Sequence, residues 1–225
     1  MSHERVSFNG CEFEVATVDP TQADLSLFWH GSDGSRYANF SGLRHALEKQ
    51  NRRLVFATNA GIFDPTFTPV GVHVENGREY VPLNLKSGAG NFYLKPNGVF
   101  LVDAQGPRAI ESKQYAVTRP DIRLATQSGP LLVGDGAINA QFQPQSTNKR
   151  IRSGIGVSTA HQVVFAISRE PVTFHNFASL FRDRLACPNA LYLDGVISRF
   201  YLASDANADM SDEDFAGMLA VTARK

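Results

Sequence analysis

Short runs of alternating or wholly apolar residues, broken every few positions by Gly, Pro, Asn or Asp, run through the chain and predict strands. Val70 to Val74 and Glu79 to Val81 flank Asn76-Gly77, a dipeptide that takes positive φ at both central positions of a type I′ turn and so predicts a hairpin. Further strands are predicted at Phe13 to Val18, Leu25 to Trp29, Leu54 to Thr58, Asn91 to Leu94, Val99 to Val102, Pro130 to Val133, Gly154 to Ser158, Val163 to Ser168 and Ala190 to Leu193. Pro96-Asn97-Gly98 and Gly134-Asp135-Gly136 punctuate them as turns.

Helical spacing stands out in two places. Leu43, Ala46 and Leu47 follow Ser41 or Asn39 as cap, with Arg44, Glu48 and Lys49 turned to water. Phe177, Leu180, Phe181 and Leu185 form one apolar stripe after Thr173, a second cap, and are assigned to packing against a sheet. Each helix leads into an apolar strand that ends on a small polar turn, Asn59-Ala60-Gly61 in one case and Asp194-Gly195 in the other. The pattern predicts an α+β fold of mixed or antiparallel sheets packed with a few helices. Groups at the carboxyl ends of such strands often line a cleft, which makes Asn59 and Asp194 candidates for one shared site.

Composition fits this picture. The 225 residues carry 16 Phe and an apolar share of 43%, enough for a sizeable core, and neither linker nor charge block divides them, so residues 1–225 read as a single domain. Lys and Arg number 22 against 22 Asp and Glu, so no basic field is available for nucleic acid. No apolar run reaches the ~18 to 20 residues of a membrane span, and Met1 to Gly10 lacks the apolar centre of a signal peptide. The cysteines, Cys11 and Cys187, allow one disulfide or two thiols, and spacing leaves both open.

HExxH, CxxC and GxSxG are absent and the His residues are scattered, so zinc protease, thiol redox and α/β-hydrolase chemistry lose their usual support. No metal is expected; a divalent cation such as calcium at Asp194 has no ligand-spaced motif behind it. What remains is carboxylate, amide and cation, a mix suited to sugars and phosphates. Asp194, at the mouth of a core strand, is the strongest catalytic candidate, its bland alternative being an Asp that bonds its own turn. Glu170 follows the strand Val163 to Ser168, and His175 sits near the start of the second helix. Ser87-Gly88-Ala89-Gly90-Asn91 offers backbone N–H groups to an anion, with Lys95 close in sequence. Gln127, Ser128 and Arg152 lie on the approaches to strands, and Arg152 has the fork geometry for a phosphate.

Asn59-Ala60-Gly61-Ile62-Phe63, Pro69-Val70-Gly71, Gly90-Asn91-Phe92, Lys95-Pro96-Asn97-Gly98-Val99-Phe100, Gln127-Ser128-Gly129-Pro130-Leu131-Leu132, Arg152-Ser153-Gly154-Ile155-Gly156 and Leu193-Asp194-Gly195 together resemble the phosphodiester glycosidase family, in this order, from about Cys11 to the C-terminus. The sequence looks closest to the family's compact bacterial members, which generally look exported. That implies a periplasmic or secreted location if a signal sequence was removed, and otherwise a cytoplasmic one. The resemblance implies hydrolysis of a sugar-1-phosphodiester, free or within a glycan, at the anomeric carbon. It casts Asp194 as nucleophile or base, Glu170 as second carboxylate, and Arg152, Lys95 and the Gly88 to Gly90 backbone around the phosphate. Asn59, Gln127, Ser128 and His175 then orient sugar hydroxyls. Family members often follow the Asp-Gly with Gly and Ser, whereas Val196-Ile197-Ser198-Arg199 stands here, which puts Ser198 among the substrate-binding candidates and leaves the sugar open. The rival reading is a noncatalytic carbohydrate-binding protein of the cell envelope using the same cleft. Oligomeric state is not legible.

Overall fold

The computed structural model describes residues 1–117, 121–195, 197–205 and 213–225. Among these, three sheets carry the architecture, and every ladder in them is antiparallel. The first runs, edge to edge, through Ser2–Phe8, Cys11–Val18, Val163–Ser168, Ser153–Val157, Asn189–Asp194, Leu131–Gly134 and Ala137–Ile138. The second runs through Phe200–Leu202, Arg52–Asn59, Met218–Arg224 and Asp24–Phe28. The third runs through Arg78–Val81, His73–Glu75, Leu124–Ser128, Gly98–Asp103 and Gly106–Glu111.

Apolar residues on alternate positions of all three sheets face one another in a shared centre. Leu27, Phe56, Phe100, Leu131, Ile155, Phe165, Leu191 and Leu219 belong to it, and the Phe56 and Phe165 rings meet at 5.0 Å between centroids. The opposite face of each sheet is covered by a short helix. Phe40–Lys49 lays Leu43 and Leu47 on the second sheet, Phe174–Ser179 lays Phe177 on the first, and Ser112–Val117 lays Tyr115 on the third. Strands are therefore buried on both sides, which is why they read as continuous apolar runs. Among the described residues, no helix is long and apolar enough to cross a membrane.

The hairpin forms as its turn chemistry requires, with Asn76 at φ 49° and Gly77 at φ 82° between His73–Glu75 and Arg78–Val81. Asn39, not Ser41, caps the first helix, its side chain accepting from the Gly42 N–H at 2.9 Å. Thr173 caps the second, which keeps α geometry only to Ser179 and widens into a π turn over Leu180–Arg184. The run predicted as a strand at Asn91 to Leu94 is instead a single helical turn, Asn91–Tyr93, that buries Phe92 but pairs with no strand. Its apolar content comes from packing, which a short run shares between helix and strand. The pattern predicts no strand at Ser2–Phe8, Gly106–Glu111, Leu124–Ser128, Ala137–Ile138, Phe200–Leu202 or Met218–Arg224. The last lies between two partners in the centre of the second sheet.

Cys11 and Cys187 are both free thiols, Cys187 wholly buried and Cys11 beside the Asn176 amide. Burial pushes the Cys187 thiol up to about 12. Cys11 is also raised, by burial and then by the nearby Glu170 carboxylate. A thiol reagent should therefore titrate Cys11 slowly in the folded chain and Cys187 only after unfolding, and reductant should leave the melting temperature unchanged. Because Phe56 bridges two sheets, Phe56→Ala should cost about 3–5 kcal/mol in urea denaturation.

Candidate functional site

The strand Asn189–Asp194 alternates Leu191 and Leu193 into the shared core with Ala190 and Tyr192 onto the helix-covered face. Its pairing with Ser153–Val157 slips between Ser153 and Gly154, so Asp194 sits opposite Ser153 while Tyr192 sits opposite Gly154. Such a bulge re-aims the side chain that follows it. Here that side chain is Asp194, which opens on a cleft of about 620 Å³. Its Oδ1 accepts from the Gly195 N–H at 2.6 Å.

The other walls come from two loops. Ala89, Gly90, Asn91, Phe92 and Tyr93 form one side; Ile62, Phe63, Asp64, Pro65 and Val70 form another, with Ile197 beside Asp194. The lining is mostly apolar, and its charged members among the described residues are carboxylates, Asp64 and Asp194. Asp64 closes a tight turn. Its Oδ1 accepts from the Thr66 N–H at 2.8 Å, the Thr66 hydroxyl at 2.6 Å and the Thr68 N–H at 3.1 Å. The Thr66 hydroxyl first, and then the Thr68 N–H, hold this carboxyl below its usual range, so it is ionised at neutral pH. At the tip, Phe67 takes φ 59°, costly for a bulky residue. It is held there by three contacts: Trp29 donates its indole N–H to the Phe67 carbonyl at 3.0 Å, Arg36 lies 4.2 Å over the ring, and Phe63 stacks on it at 5.5 Å. The result is a fixed aromatic wall.

Behind Asp194 a buried polar knot ties the sheets together. Ser198 donates to the Asp194 carbonyl at 2.9 Å, and its hydroxyl lies 3.1 Å from that of Ser153. Asn59, at the end of a second-sheet strand, donates to the Ser153 hydroxyl at 3.0 Å and accepts from the Arg199 N–H at 3.3 Å. The Ser128 hydroxyl, on the third sheet, donates to the Leu193 carbonyl at 2.9 Å and accepts from the Ile62 N–H at 3.4 Å. Gly61 runs so close to this sheet that a Cβ would lie 2.2 Å from the Gln127 carbonyl oxygen, so no other residue fits.

The sequence-derived candidates thus fall into five groups. Asp194 and Gly90 line the cleft, while Asn59, Ser128 and Ser198 hold its floor from behind. Gln127 is a buried staple: its amide donates to the Asn84 carbonyl and the Ser112 hydroxyl, and its Oε1 accepts from the Val72 and Asn84 N–H groups. Arg152 is equally buried, donating to the carbonyls of Val172 at 2.9 Å and Asn148 at 3.1 Å with Phe174 stacked 3.6 Å from its guanidinium. Lys95 lines a second cleft of about 530 Å³ with Ser87, Glu111 and Lys113, and Gly88 packs beneath the Tyr93 ring. Burial, and then Lys113, lower the Lys95 pKa. Glu170 and His175 are not on the cleft wall. Glu170 accepts from the Glu12 N–H at 2.7 Å, and His175 acts electrostatically on Asp183. Val196 lies outside the described residues. Asp64 escaped the sequence reading although it directly follows the Asn59 to Phe63 motif; its signal was the Asp-Pro-Thr turn. Among the described residues no three His, Cys, Asp or Glu side chains are grouped to hold a metal ion.

Comparison with known proteins adds the family. The model of the phosphodiester glycosidase family matches residues 52–221. YigE of Escherichia coli K12, itself uncharacterized, is 33% identical over 193 residues, covering 86% of this chain and 75% of that protein. The catalytic domain of zebrafish N-acetylglucosamine-1-phosphodiester α-N-acetylglucosaminidase, solved in a form auto-inhibited by its pro-peptide, superposes with a TM-score of 0.63 at 14% identity over 98% of this chain and 81% of that one. A hypothetical protein from Synechocystis gives 0.57 at 16% identity, over 99% of this chain and 61% of its own. At these identities the structures share the fold.

Asn59→Ala should cost about 1–3 kcal/mol in urea denaturation, because the Arg199 N–H loses its Asn59 partner and Ser153 loses one of its partners while both remain buried or half-buried. Asp64 should show the acid signature of a depressed carboxylate. Its contribution is complete above its ordinary value of 3.8 and is lost as pH falls through the lower folded value. The melting-temperature gap between wild type and Asp64→Ala should accordingly narrow as pH is taken below 3.8.

Proposed function

The chain belongs to the phosphodiester glycosidase family, and from that membership we propose that it hydrolyses the bond between a sugar's anomeric carbon and a phosphodiester oxygen. The observation that carries this reading is the placement of Asp194: a carboxylate at the end of a core strand, re-aimed by a bulge, opening on a cleft large enough for a sugar and part of its aglycone.

Phosphate leaves readily, so the bond needs no strong general acid. The chief demand is to stabilise positive charge growing on the sugar ring. Asp194 meets the anomeric carbon, and Asp64, kept ionised by its own turn, adds negative potential across the cleft. Asp64 thereby takes the place that the sequence offered to Glu170. Arg152 lies behind the site and does not touch the phosphate. The departing anion goes toward the loop Ser87–Asn97, whose two ends line the second cleft with Lys95 and Lys113. The apolar walls, Phe63 and Ile197 among them, take the hydrophobic faces of sugar and aglycone. The activity named for the zebrafish relative, release of N-acetylglucosamine from a phosphodiester, is one substrate choice within this class.

Purified protein should release sugar from aryl or alkyl sugar-1-phosphodiesters. Asp194→Asn should lower kcat by about 10³-fold or more with an unchanged circular dichroism spectrum. Unchanged turnover in that variant removes Asp194 from the mechanism. Saturable glycan binding by the wild type with no product on long incubation replaces hydrolysis with the carbohydrate-binding reading. Lys95→Met should raise KM several-fold while changing kcat less, measured on the same substrates.

A further inference from the structure

Directly beneath the Asp194–Gly195 turn lies a group that the proposed reaction does not use. Tyr192 is completely buried, and its hydroxyl, which has no partner in ideal hydrogen-bond geometry, faces the Arg152 guanidinium and the Asn91 side chain. Burying a phenol this way is costly, since it loses water and these loosely aligned neighbours replace only part of what is lost. Its surroundings say what it faces. A Cβ on Gly195 would lie 1.8 Å from the Tyr192 oxygen and 3.1 Å from the ring carbon that bears it, so the hydroxyl fills the space under the turn. Gly195 does not have positive φ, so the backbone conformation does not demand glycine; the phenol does.

Asn91 and Asp194, which both line the cleft, act on the same hydroxyl from above, and the Arg152 guanidinium acts on it from behind. Arg152 is sandwiched between two rings, 3.6 Å from the Phe174 centroid and 5.6 Å from that of Tyr192, which is itself 4.9 Å from Phe174. Its Nε and Nη2 donate to backbone carbonyls. Burial, the dominant influence, keeps the Tyr192 phenol far above its ordinary range, so it carries its proton at every working pH and is a donor.

We propose that Tyr192 is a positioning residue of this site: its hydroxyl, steadied by the stacked Arg152 cation, sets the height of the Asp194–Gly195 turn and orients Asp194 toward the anomeric carbon. The proposal rests on the hydrolytic reading of the cleft. It also gives Arg152 a role at one remove, as the cation that polarises the phenol and not as a ligand of phosphate.

The test is Tyr192→Phe, which removes one oxygen and keeps the ring. The expected result is a kcat lower by about 10- to 100-fold, the effect of Asp194 losing its aim as the turn shifts, with KM within about threefold and an equal or higher melting temperature. A purely structural tyrosine predicts unchanged kcat, and that outcome, in a preparation whose wild type turns over, overturns the proposal while leaving the hydrolase reading intact. Wild-type protein inert on every glycosyl phosphodiester removes both. The packing half is read without activity. Gly195→Ala should lower the melting temperature in the wild-type background and do so much less in Tyr192→Phe, where the nearest ring atom is the one at 3.1 Å. Equal losses in the two backgrounds place the hydroxyl elsewhere and overturn the proposal.

Discussion

Everything at the site depends on the buried polar knot in which Asn59, Ser153, Ser198 and the Asp194 carbonyl meet, with Ser128 joining from the third sheet. Each bond is worth only about 0.5–1.5 kcal/mol net, but once the groups are buried none can fall back on water. The sheets share an apolar centre, which is non-directional and fixes distance more than orientation. The knot supplies the direction. It pins the end of the Arg52–Asn59 strand to the end of the Asn189–Asp194 strand, and so fixes where the catalytic candidate points.

The cleft itself sets charge against charge in an unexpected way. Its lining brings together two carboxylates and an apolar wall, while the cations expected around a phosphate lie one layer back, as Arg152, or in the next cleft, as Lys95. On the proposed hydrolysis, this arrangement favours a positively charged transition state directly and an anionic leaving group only at its margin. A carboxylate such as Asp64, bonded by its own turn, needs no neighbouring cation to remain ionised. The structural duty of that turn, which also carries the strained Phe67, and its electrostatic duty are one and the same.

At 14% identity this chain and the zebrafish enzyme still share a fold, so the sheet framework tolerates replacement of most of its residues. The loops that line the cleft are where this chain departs from the family pattern noted in its sequence, with Ile197 and Ser198 after the Asp-Gly pair. Ser198 is turned inward onto the knot, and Ile197 faces the cleft. The departure therefore changes the surface of the cleft while preserving the anchor beneath it.

By itself the sequence determined the strand-rich α+β class, the Asn76-Gly77 hairpin, both helix caps to within two residues, and the approach of Asn59 to Asp194 at the ends of their strands. These follow from local rules: period, turn chemistry, and the habit of polar residues at the ends of buried strands. The tertiary structure alone decided which polar residues reach the cleft. Arg152, Gln127 and Glu170 carry the same functional groups whether they face a ligand or a backbone carbonyl, and only the folded chain shows the carbonyls of Val172 and Asn148, the Asn84 backbone and the Glu12 N–H as their partners. Asp64 and Tyr192 came into view for the converse reason. What singles them out is the cleft that Asp64 shares with Asp194 and the fold of the Asp194–Gly195 turn back over the Tyr192 hydroxyl, placements seen only in the folded chain although each segment is short.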